Sequence, residues 1–193
     1  MRIGVVAEGS KDGPILEELI RKIEPATTTI VVRPTRGKSK FILQFPELLW
    51  TFGHFAPSGF VDKAIVICDA NGDDPAMVEA AMQRRLQGRR HPPFHRGIEF
   101  HATRRETETW LLADVDAVNR VAASKRGSGR VEGTVPGPLE AVPDAKEQFV
   151  RLVTAAGLPY VPEIVREVTR AVELALVRQQ CPGFRLFEEK VRR

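Results

Sequence analysis

The chain has 193 residues, 42% of them hydrophobic and 28% charged, a balance that excludes an intrinsically disordered protein and suits a folded core. Its formal net charge is +4, from 29 Lys and Arg against 25 Asp and Glu, so any preference for an anionic partner must come from where the charge sits. No apolar stretch approaches the roughly 18 residues of a membrane span. Cys68 and Cys181 form neither a disulfide framework nor a zinc-ligand spacing. The apolar run of "MRIGVVAEG" is too short for a signal peptide, which gives the expectation of a cytoplasmic protein with reduced thiols.

"RIGVVAE" (2–8) reads as a first buried strand ending in an acid, followed by a loop "GSKDGP". Ile15, Leu16, Leu19, Ile20 and Ile23 recur at helical spacing, with Pro14 as the start. "TTTIVVRP" (27–34) reads as a second strand, and 39–55 as a helix with a break near Pro46. "DKAIVIC" (62–68) is the third strand, and Pro75 opens a helix over 75–86. "GIEFHAT" (97–103) is the fourth strand, and 108–122 reads as one helix.

Alternating strands and helices imply an α/β fold, a Rossmann-like, mostly parallel sheet of about four strands with helices on both faces. After Ala123 the pattern changes. Residues 124–142 read as a polar, Gly- and Pro-rich linker, and 143–193 as a helical C-terminal extension, with helices over 143–156 and 161–179 and a tail "CPGFRLFEEKVRR". The expected division is thus an α/β unit (1–123), a linker and an extension packed on that unit.

In a parallel sheet the loops after the strands share one edge. Glu8 follows strand one, Asp69 ends strand three, and Glu106 and Glu108 follow strand four. Like charges gathered there raise each other's pKa unless a cation lies between them. A hard ion with oxygen ligands, Mg²⁺ or Mn²⁺, fits that need. Each acid also has an ordinary local reading. "DANGDD" is a turn composition, with Asp74 as the N-cap of the helix at Pro75. "TRRE" (103–106) matches a capping box, in which Glu106 reaches back to the Thr103 amide. Glu108 suits the first turn of a helix.

"VAEGSKDGPILEELI", "AIVICDANGDD" and "RRETETWLLAD", in that order, resemble a TOPRIM-type domain. More narrowly, they resemble a bacterial family of TOPRIM-like proteins related to the nuclease half of the overcoming-lysogenization-defect (OLD) proteins. "DAKEQFVRLV", "GLPYVPEIVREV" and "CPGFRLF" extend the resemblance over nearly the whole chain. It implies divalent metal and phosphoryl transfer on nucleic acid, with Glu8 and Asp69 as the leading catalytic and metal-binding acids. The second acid of the Asp-x-Asp motif falls on Asn71, which offers a neutral oxygen and no charge. Asp73 is its substitute. Glu106 and Glu108 match the acidic pair before the Trp-Leu-Leu segment. The family context also implies a separate ATPase partner in phage defence.

Arg84, Arg85, Arg89, Arg90, Arg96, Arg104 and Arg105 form one basic stretch, and Arg33, Arg36, Lys38 and Lys40 a second. Arg36, Lys38, Lys40, Arg104 and Arg105 are the expected phosphate-binding residues, since they flank the acidic edge. Lys11 or Lys38 would act as general acid or base. No GxxxxGK[ST] motif is present, so the chain is not expected to hydrolyse ATP. The expectation is a Mg²⁺- or Mn²⁺-dependent nuclease acting on DNA or RNA. The alternatives are a non-catalytic module that binds nucleic acid or an ATPase, and a hydrolase of small phosphoesters.

Overall fold

The computed structural model describes residues 1–35, 37–54, 61–125, 129–133 and 138–193. Arg36 and part of the expected linker lie outside these residues. Four strands, β1 (Arg2–Ala7), β2 (Thr29–Pro34), β3 (Lys63–Asp69) and β4 (Ile98–Thr103), form one all-parallel sheet in the order β2-β1-β3-β4. The two continuous apolar runs take the two central places. β1 and β3 are the strands that must be covered on both faces, and their residues are buried almost throughout. β2, more exposed, and β4 form the edges.

Side chains alternate between two cores. Ile3, Val5, Ala7, Ile65 and Ile67 face one core, which is covered by α1 (Asp12–Ile23), α4 (Val115–Ser124), α5 (Ala145–Ala155), α6 (Pro162–Ala171), α7 (Leu174–Gln180) and α8 (Pro182–Arg192). Val6, Ala64, Val66 and Cys68 face the other core, which is covered by α2 (Lys38–His54) and α3 (Pro75–Leu86). Gly4 belongs to the second face, because a Cβ there would lie 2.7 Å from the Phe52 ring. β4 has an open outer edge, and a pair of side chains serves it. Glu79 accepts from the Ala102 amide at 3.0 Å, Lys190 donates to the Phe100 carbonyl at 2.7 Å, and the two pair with each other at 2.7 Å.

Four local readings need correction. α2 runs unbroken through Pro46, because Phe41, Phe45, Leu49 and Phe52 keep its inner face buried on the sheet. The helix expected over 108–122 is a 3₁₀ helix, Thr107–Ala113, followed by α4. Buried Asp114 separates them: its carboxylate caps Ala117 N at 3.1 Å and accepts from Arg120 and the Glu173 amide. The segment 161–179 is two helices, α6 and α7. Lys22 takes the carbonyls of Arg170 and Val172 at the end of α6, and Asp114 takes the Glu173 amide before α7. The tail at Cys181 is the amphipathic helix α8, which buries Phe184, Phe187 and Val191.

Candidate functional site

The chain leaves β1 through α1 on one face and returns from β2 through α2 on the other. The crossover direction therefore changes between β1 and β3, and a crevice opens outside their carboxyl ends. Glu8 and Asp69 stand at those two ends. The Asp69 amide donates to Glu8 Oε2 at 3.4 Å, which ties the strands together there. Asp12, in the first turn of α1, closes the loop from β1 by accepting from the Gly9 amide at 2.8 Å. Its other oxygen accepts from the Thr107 hydroxyl at 3.1 Å, which brings in the 3₁₀ helix after β4. Thr107 also donates to Glu108, at 3.3 Å, and the Tyr160 hydroxyl donates to the other Glu108 oxygen at 3.2 Å.

Glu8, Asp12, Asp69 and Glu108 are thus one acidic centre, and its electrostatics show the crowding. Burial and then the Asp12 charge push the Asp69 carboxyl up to about 8, with Glu8 and Glu108 adding to the effect. The Thr103 hydroxyl opposes this by donating to Asp69 at 2.7 Å. Burial raises Asp12, and the Glu8 charge adds to it. Glu108 is buried, and its pKa is raised by that burial and then by Asp12. Burial also raises Glu8, against the Asp69 amide and the Lys38 charge. Such a centre favours either a proton or a cation. Its donors are hard oxygens, the right chemistry for Mg²⁺ or Mn²⁺. As they stand, no three acids, histidines or cysteines among the described residues are grouped to hold a metal ion. The carboxylates are instead engaged with protein donors, so a bound ion would draw them from these hydrogen bonds.

The other expected residues have different surroundings. Glu106 accepts from the Lys146 amide at 2.8 Å, at the start of α5, and does not form the expected capping box, because Thr103 is the last residue of β4 and its hydroxyl serves Asp69. Asn71 (φ 55°) and Asp73 are exposed on the turn after β3, and Asp73 pairs with Lys38 at 3.3 Å. Arg105 reaches the same turn, its guanidinium beside Gly72. Lys11 lies with Nζ 4.8 Å from the Tyr160 ring centroid. Lys40 is exposed on the first turn of α2, and Arg104 is exposed beyond β4 near Glu140.

Asp12, Tyr160, Thr103 and Thr107 belong to the centre and were not singled out from the sequence. Asp12 lies four positions after Glu8 and opens α1, a placement the loop-like "GSKDGP" obscured. Tyr160 is the only tyrosine of the chain, and no local pattern marks it.

No family model matches the chain, and no curated protein matches it. It is similar to two solved structures of the C-terminal region of the Xanthomonas campestris pv. campestris OLD protein. One is 14% identical, with 97% of this chain and 96% of that chain covered and a TM-score of 0.45. The other is 15% identical, with 99% and 94% covered and a TM-score of 0.46. The solved structures that the chain is similar to are thus from an OLD protein, and its motifs resemble a TOPRIM-like family related to the nuclease half of OLD proteins.

Proposed function

We propose that the chain is a divalent-metal-dependent nuclease that hydrolyses or nicks phosphodiester bonds in DNA or RNA. The observation that carries this reading is the convergence of Glu8, Asp12, Asp69 and Glu108 on the crevice between β1 and β3, each with a raised pKa. These four would hold Mg²⁺ or Mn²⁺, with Asn71, Asp73 and Glu106 next in reach of the same edge. When bound, the ion would neutralise phosphoryl oxygens and lower the pKa of attacking water. Lys38, whose charge already acts on Glu8, would hold a phosphate at the mouth of the crevice, with Lys40, Arg36, Arg104 and Arg105 along the flanking backbone. Lys11, whose Nζ lies over the Tyr160 ring, would act as general acid or base.

The test is nicking of supercoiled plasmid and cleavage of single-stranded DNA and RNA with Mn²⁺, Mg²⁺ or chelator. Glu8→Ala and Asp69→Ala should abolish metal-dependent cleavage while the fold stays intact by circular dichroism. The neutral Asn71 favours a second reading, a non-catalytic module that binds nucleic acid. Salt-dependent binding that lengthens with the oligonucleotide, without cleavage in either metal, would select it.

A further inference from the structure

Between the ends of β4, α3 and α8 lies a cavity of about 280 Å³. Pro75, Pro182 and Leu186 supply apolar walls, and His101, Arg104 and Glu140 are among its polar groups. His101 is 1% exposed, yet neither ring nitrogen has a hydrogen-bond partner among the described residues. Its Nδ1 is 3.7 Å from Glu79, whose carboxylate already serves Ala102 and Lys190. The imidazole is wedged against Trp110 and Phe187, at ring-centroid distances of 5.9 and 5.3 Å. A neutral imidazole offers one donor and one acceptor, so a buried one with both unused is costly unless a ligand takes them up.

Glu140 adds a second acceptor. One of its oxygens accepts from the Gly183 amide at 2.7 Å, in the first turn of α8. Burial raises its pKa, with the Arg104 charge opposing. Arg104 directly follows Thr103, which holds Asp69, so the cavity and the acidic centre both draw residues from the carboxyl end of β4.

We propose that this cavity is a pocket for one unpaired nucleobase next to the cleaved phosphate, and that it favours guanine, whose edge sets an imino donor beside an amino donor, above uracil or thymine, which have the imino donor alone. The inference deepens the nuclease reading above and rests on it. The apolar walls would take the faces of a base, as in enzymes that read an extruded nucleotide. An ionised carboxylate only accepts, so Glu140 favours the edge with more donors, the adjacent imino and amino groups of guanine over the single imino group of uracil or thymine. His101 forms part of the floor, and Arg104, exposed at the end of β4, would face the phosphate.

Binding can be read without cleavage. The chain has two tryptophans, and the Trp50→Phe variant leaves Trp110, which packs on His101, as the sole reporter. Guanosine monophosphate, added with chelator present, should change Trp110 fluorescence saturably and bind about fivefold or more tighter than uridine monophosphate. Leu186→Glu, at a residue 54% exposed, should weaken binding by about tenfold or more. Glu140→Gln, which replaces an acceptor oxygen with a donor, should narrow or reverse the base preference. Arg151→Ala, at an exposed residue of α5 paired with Glu147, should leave nucleotide binding within about twofold, a shift under 0.5 kcal/mol. No saturable response, a response indifferent to Leu186→Glu and Glu140→Gln, or one lost in Arg151→Ala overturns the pocket. Nicking measured alongside separates the two readings: cleavage without nucleotide binding sinks the pocket alone, and nucleotide binding without cleavage sinks the nuclease.

Discussion

The Thr103 hydroxyl donates to the Asp69 carboxylate at 2.7 Å, across the carboxyl ends of two paired parallel strands. Asp69 and Thr103 are register partners, so one ladder position brings a charge and its neutralising donor together. Thr103→Val should therefore raise the Asp69 pKa beyond about 8, because the hydroxyl is what opposes burial and the Asp12 charge. Carboxyl-carbon NMR titration measures this. An unmoved Asp69 would show that the hydroxyl has no hold on its charge.

A raised carboxyl pKa also makes a stability statement. Between the ordinary carboxylate pKa and about 8, the folded chain holds a proton at Asp69 that the unfolded chain has released. Stability from this group is full in acid and is lost as pH rises toward 8. In chelator, Asp69→Asn should be more stable than the parent at pH 8 by on the order of 1–3 kcal/mol, and the gain should vanish near pH 4. Urea denaturation at the two pH values is the check, and equal shifts at both would remove the charge from the explanation.

His101 works in the opposite sense. Burial, with Lys190 adding to it, lowers its pKa to about 3, so the unfolded chain binds a proton that the folded chain refuses. Stability from this group is full above the ordinary histidine pKa and is lost as pH falls from there toward 3. His101→Phe should flatten the fall in stability between pH 6.5 and 4. An unchanged slope in thermal melts across that range would place the acid sensitivity elsewhere.

The order of strands and helices was legible because β1 and β3 are continuous apolar runs, which only central strands need. Their ends then pointed to Glu8 and Asp69 at a shared edge. Asp12 was not legible, since its part in the centre depends on α1 meeting the 3₁₀ helix at Thr107. Tyr160 comes to Glu108 from the far end of the chain, through the packing of α1 on α6, and leaves no mark in its neighbours. The breaks at Asp114 and Val172 escaped periodicity as well. Asp114 supplies the N-cap of α4 and serves the Glu173 amide before α7, and a capping carboxylate can end one helix as well as open another.

The Glu79–Lys190 pair offers a fourth test. Lys190→Ala removes the donor that serves the Phe100 carbonyl on the open edge of β4 and leaves Glu79 without its cation. The cost should be about 1–3 kcal/mol in urea denaturation. Such a variant should also self-associate more at high concentration, because the edge is uncovered. Analytical ultracentrifugation reads that, and a variant as stable and monomeric as its parent would show that the pair is dispensable.

Gly4→Ala tests the centre of the sheet. The added methyl would fall 2.7 Å from the Phe52 ring, a contact that neither β1 nor α2 can avoid without moving. A loss of about 1–3 kcal/mol is expected. Phe52→Leu in the same chain should return part of it, and a failure to do so would put the strain in the backbone instead.

The core beneath α1 joins Ile3 to Val191, so its first and last members are separated by almost the entire chain. During synthesis the sheet can be assembled once β4 has emerged, but one of its faces, covered by α1 alone, waits for α4 to α8. The acidic centre waits too, since the Lys146 amide and the Tyr160 hydroxyl must arrive before Glu106 and Glu108 take their places. A ribosome that stalls before α8 would therefore leave a sticky intermediate, and a chaperone that shields apolar surface has a defined interval in which to act.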